Sequence, residues 1–133
     1  MSIAEFRAGI GANLATIRGL RVAVEIPDNP SPPIAIVALQ QVSYDGAFAG
    51  GLTEYQFAVS VIVGRAAERE AQRRLDAYIG TGVGGVKKAI ESDRTLGGSA
   101  YDVRVSEMTQ VGSVSLGDAT YLACDFTVTV YAE

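Results

Sequence analysis

Thr53-Glu54-Tyr55-Gln56-Phe57-Ala58-Val59-Ser60-Val61-Ile62-Val63 is the stretch on which the fold turns. Tyr55, Phe57, Val59, Val61 and Val63 recur at every second position, so they share one face of an extended chain. That period predicts a strand with one face toward a core. Just upstream, Ile34 to Tyr44 reads as a second strand, apolar on both faces. Ile34 and Ile36 lie on one face, and Ala35, Val37 and Leu39 on the other. Such a strand is covered on both sides, by its own chain or by a neighbour. Asp45-Gly46-Ala47-Phe48-Ala49-Gly50-Gly51 connects the two, so residues 34–63 read as a β-hairpin with a long tip.

Toward the N-terminus, Ile3, Phe6, Ile10, Leu14 and Ile17 follow helical spacing and predict a helix over 3–18. Ser2 and Glu5 fit a capping box, and Gly19 is placed to stop the helix. Gly9 and Gly11 each weaken an isolated helix by about 1 kcal/mol relative to alanine, so this one needs packing to hold it. Residues 20–26 read as a strand, and the proline-rich stretch 27–33 as a stiff loop.

Toward the C-terminus, residues 66–79 read as a helix with Ala67, Ala71, Leu75 and Tyr78 or Ile79 inward. Its outer face carries Glu68, Arg69, Glu70, Arg73 and Arg74, with Glu70 and Arg74 spaced for an ion pair. A shorter helix over 85–92 brings Val86, Ala89 and Ile90 together. Strands follow over 100–111, with Tyr101, Val103 and Val105 on one face, and over 119–131, with Leu122, Cys124, Phe126, Val128 and Val130 inward. Gly112 to Gly117 would be the tip of this second hairpin. The order α-β-β-β-α-α-β-β predicts a single α+β domain over 1–133, a mixed or antiparallel sheet with helices against it.

Composition removes several function classes. The 133 residues carry a formal charge of −4 and no basic run, which disfavours phosphate-hugging nucleic-acid binding. With no histidine, the usual general base and the commonest metal ligand are missing. The lone cysteine excludes an intrachain disulfide and a cysteine-only zinc site. No apolar run reaches the roughly 18 residues of a membrane span. The first residues lack the basic-then-apolar order of a signal peptide, so a soluble protein made in the cytoplasm is expected.

The remaining motifs are weak. Gly80-Thr81-Gly82-Val83-Gly84-Gly85 matches a dinucleotide-binding pattern, but it follows a helix where that site needs a strand. It reads as a helix–helix joint. Cys124 lies between Leu122 and Phe126 on an apolar face and reads as a buried structural thiol. Glu91, Asp93 and Asp102 could offer oxygens to a hard cation, but no calcium-loop spacing is present and solvated carboxylates are the plainer reading. The arginines at 65, 69, 73 and 74 form either a solvated face or a subunit contact. No catalytic residue, cofactor site or metal site is expected.

Taken in order, several segments carry a resemblance. They are Gly19-Leu20-Arg21-Val22, Ile26-Pro27-Asp28, Pro32-Pro33-Ile34-Ala35-Ile36-Val37 and Tyr55-Gln56-Phe57. They continue with Ala71-Gln72-Arg73-Arg74-Leu75-Asp76-Ala77-Tyr78 and Ala89-Ile90-Glu91-Ser92-Asp93-Arg94-Thr95-Leu96-Gly97-Gly98. In this order the chain resembles the lambda-type tail terminator proteins of long-tailed, non-contractile bacteriophages. The resemblance implies a structural virion protein at the tail–neck junction, not an enzyme. Six copies would form a homohexameric ring on the major tail tube protein, stop tube growth and present a docking surface to the head–tail connector or neck protein. DNA would pass through the lumen without specific binding. On that reading, Asp45, Phe48 and Gly50 are candidates for tube or lumen contact. Glu68, Arg69, Arg73, Ile34 and Ile36 are candidates for subunit contact, and the tip at 112–117 is a third region. Another head–tail connector protein, or a small cellular ligand-binding α+β domain, stays open as an alternative.

Overall fold

A computed structural model describes residues 2–23, 32–44 and 52–132. The described elements are α1 (Ile3–Leu14), β1 (Arg21–Ala23), β2 (Ile34–Ser43), β3 (Thr53–Arg65), α2 (Arg69–Ile79), α3 (Val86–Ile90), β4 (Asp102–Leu116) and β5 (Ala119–Ala132). This is the expected α+β order. The strands form one mixed sheet in the order β1-β2-β3-β5-β4. β1 runs parallel to β2, and the other neighbours are antiparallel.

Alternation decides which face each side chain joins. Ala35 and Val37 of β2, the odd-numbered residues 57–63 of β3 and the even-numbered residues 124–132 of β5 form one apolar surface. Phe6, Ile10, Leu14 and Ile17 pack onto it with Leu75, Tyr78, Val86 and Ile90, so all three helices cover the same face. Phe6 and Tyr55 meet with ring centroids 4.8 Å apart and a 55° tilt. Gly9 has a packing reason: a Cβ there would lie 2.7 Å from Leu96 Cβ, so α1 could not approach the 95–98 turn as closely.

α1 starts at its predicted cap, where Ser2 Oγ accepts the Glu5 N–H at 3.1 Å. It ends at Leu14, four residues before the expected stop, and turns carry the chain to Gly19 at φ +85°. α2 also begins later than expected, and Ala67 is exposed ahead of it. Tyr101 lies outside β4 and is exposed, unlike Val103 and Val105.

The second hairpin departs most from expectation. Gly112 to Leu116 is not a loose tip but paired strand, from Gly112↔Ala123 to Leu116↔Ala119. The turn is only Gly117-Asp118, with Gly117 at φ +64°, a left-handed conformation that matches strand twist in a two-residue connection. The sequence predicts β4 only as far as residue 111, and two bulges break the alternation along it, one at Ser106 and one at Gln110–Val111. Each shifts which residue faces the core. Bulges on this edge strand also turn it away from uncontrolled pairing.

Candidate functional site

The face of the sheet opposite the helices is the candidate site. At one end Ile34 and Ile36 cluster with Ile62 and Tyr121, each nearly fully buried. Beside them a groove of about 290 Å³ runs across β2, β3, β5 and β4. Ile36, Ile62 and Val114 supply apolar surface to its lining, and Ala123 and Gly112 contribute small ones. Ser60 and Asp125 add polarity: Ser60 Oγ donates to Asp125 Oδ1 at 2.7 Å across the β3–β5 register. Gln110, at the second bulge, reaches the same groove with its backbone at φ +55°. Left-handed backbone is uncommon for a residue with a side chain, and a bulge that re-aims one often borders a functional surface.

Ser60, Asp125 and Gln110 were not singled out from sequence. Ser60 sits at an ordinary polar-out position, and Asp125 is separated from it by more than sixty residues. Only strand register brings them together. Asn13 was also missed. It is the one buried polar side chain among the described residues, and Nδ2 donates to the Ile90 carbonyl at 2.8 Å and the Asp93 carbonyl at 3.1 Å. It thereby caps the end of α3 from α1. Its signal was a polar residue at i+3 from Ile10, inside an apolar stripe.

The other expectations divide. Asp45, Phe48 and Gly50 lie outside the described residues. Glu68 is the N-cap residue of α2, and Arg69 is its first residue; both are exposed. Arg73 pairs with Glu70 at 3.1 Å, so the expected Glu70–Arg74 pair is replaced by one with i,i+3 spacing. Arg74 instead donates to the Val63 carbonyl at 3.0 Å, tying α2 to β3. Ile34 and Ile36 are covered within the chain, so a neighbour would meet little of their side chains.

Gly80 to Gly85 is the joint between α2 and α3, with Val83 93% exposed. A Cβ on Gly85 would collide with the Gly80 carbonyl, so that joint needs its last glycine. Cys124 is buried; burial first, and the Asp125 charge second, push its thiol up to about 12. A thiol so protonated is no nucleophile at neutral pH.

The carboxylates at 91, 93 and 102 are engaged by the protein itself. Glu91 Oε2 accepts from Lys87 Nζ at 2.7 Å and from the Val105 N–H at 2.8 Å. Burial alone would raise the Glu91 carboxyl, but those hydrogen bonds and the Lys87 and Arg94 charges outweigh it and hold it below the ordinary glutamate value. Arg94 grips Asp102 through two nitrogens, at 2.8 and 3.2 Å, and lowers that carboxyl too. Asp93 accepts from Gly97 N–H, Thr95 hydroxyl and Thr95 N–H, which lower it and close the 93–97 turn. Among the described residues no cluster of three potential metal ligands forms, and no helix is long and apolar enough to cross a membrane.

No protein-family model matches the chain, and no curated protein matches it.

Proposed function

We propose that this chain is a structural virion protein, the subunit of a homohexameric ring that caps a phage tail tube. In this reading the ring halts polymerisation of the major tail tube protein at the tail–neck junction. Its other surface then receives the head–tail connector or neck protein. The work is done by binding, with no catalytic step.

One observation carries the reading: the domain has two unlike surfaces on opposite layers. Three helices cover one face of the sheet, and the opposite face holds an open groove. Unlike surfaces on one chain suit head-to-tail association, and such contacts close into a ring when the rotation allows. The ordered segments that resemble tail terminators support the same reading. So does the charge of −4 on each chain, since acidic walls let DNA slide without adhering. Glu68, Arg69 and Arg73 remain the proposed neighbour contact. Asp45, Phe48 and Gly50 remain proposed for the tube or the lumen.

Electron microscopy of lysates from a phage with a stop codon in this gene tests the proposal. Overlong, headless tubes are the expected result. Tails of normal length beside separate filled heads would assign the chain to neck joining instead. Intact particles would remove both readings and favour a small ligand-binding domain.

A further inference from the structure

Among the described residues, the groove on the open face contains a single charged side chain, Asp125. Ser60 occupies one of its carboxylate oxygens, and Oδ2 has no hydrogen-bond partner among the described residues. Half-buried Val114 gives the same groove apolar surface, and the nearly covered Ile36 and Ile62 add only their edges. A carboxylate with apolar surface beside it suits a side chain with an aliphatic stem and a cationic head. Arginine fits best, because its planar fork matches a carboxylate.

The chain itself supplies such a group. Of the three arginines on α2, Arg73 engages Glu70 and Arg74 engages the Val63 carbonyl. Arg69, exposed at the first position of the helix, makes no hydrogen bond or ion pair among the described residues. We propose that the open-face groove receives Arg69 from a second copy of this chain, its guanidinium meeting Asp125 beside Ser60. α2 belongs to the helix layer and the groove to the opposite face, so the contact links unlike surfaces of two copies. It propagates head to tail, into a ring or a filament. Closure at six copies rests on the function proposed above; the contact itself does not.

Sedimentation velocity of the full chain over a range of concentrations reads the contact. Asp125→Asn keeps the acceptor for Ser60 but removes the charge, and Arg69→Gln removes the cation. Each is expected to weaken self-association by about tenfold or more. The exchanged pair Asp125→Arg with Arg69→Asp is expected to recover most of it. Thermal melting of each variant checks that the domain still folds. Three results overturn the proposal: a wild-type chain that stays monomeric throughout, either neutral variant associating like wild type, or an exchange that recovers nothing although every variant melts normally. Loss in Asp125→Asn with none in Arg69→Gln hands the groove to a different cation. Overlong tubes in the stop-codon phage, alongside normal association of Asp125→Asn, would keep the terminator reading and discard this contact.

Discussion

Cys124 and Asp125 are neighbours in the chain and occupy opposite faces of the sheet. Cys124 points under the helices, among Val61, Phe126 and Val128 in one continuous apolar cluster. Asp125 points the other way, into a groove shared with Ser60 and Ala123. The helix-covered face is apolar along nearly every strand because three helices exclude water from it. The open face is apolar only around Ile34, Ile36, Ile62 and Tyr121. Elsewhere it carries Gln56, Ser60, Asp125, Thr127 and Thr129, all half-buried. One face is closed off by the helices, and the other leaves half-buried polar side chains beside a groove.

The largest effect should separate these faces at adjacent positions. Phe126→Ala is expected to cost about 3–5 kcal/mol, as deletion of a fully buried aromatic does. Thr127→Ala, on the opposite face, is expected to stay within about 0.5 kcal/mol. Urea denaturation of both variants checks this; equal losses would break the comparison.

Polar groups offer the next test. Asn13→Ala leaves the Ile90 and Asp93 carbonyls without their donor inside the helix layer, at a cost of about 1–3 kcal/mol. Ser60→Ala removes a hydrogen bond that faces the open groove, and its half-buried setting limits the loss to about 1 kcal/mol. The same denaturation measurement ranks the two, and a larger loss at Ser60 would mean that the groove is structural.

The pH dependence sharpens the account of the helix layer's edge. Glu91, Asp93 and Asp102 all have carboxyls held below their ordinary values in the folded chain. Their contribution is therefore present above the usual carboxylate range and is lost as pH falls through the folded values. Glu91→Gln is expected to lower stability at pH 7 and to change it little at pH 3, which flattens the acid limb of the stability curve. Denaturant midpoints at the two pH values measure this, and an unchanged slope would assign acid sensitivity elsewhere.

The smallest expected signal is chemical. Cys124, with its thiol raised to about 12, is expected to resist a disulfide reagent at pH 8 in the native chain and to react at once in guanidinium. Rapid reaction of the native chain would mean that the covered face opens easily.

The sheet was legible where alternation ran unbroken. β3 and β5 read cleanly, and β2 showed both its faces in advance. β4 was cut short at residue 111 because Gly112 to Gly117 read as a tip, and the bulges at Ser106 and Gln110–Val111 leave no regular alternation to carry the strand past it. The length of α1 was overread because Ile17 continues the apolar spacing through turns that are not helical. The Glu70–Arg74 pair failed because Arg74 found a backbone carbonyl on β3, a partner that no spacing within the helix reveals.

The sequence by itself determined the element types, their order and the side of each strand that is apolar. Those follow from local periods and from the transfer of apolar surface out of water. Only the tertiary structure decided that all three helices share one face, that Asn13 caps α3, and that Ser60 and Asp125 meet in a groove. Each of these joins residues distant in the chain. Such pairings depend on strand register and on which layer covers which face, and neither is encoded at any one position.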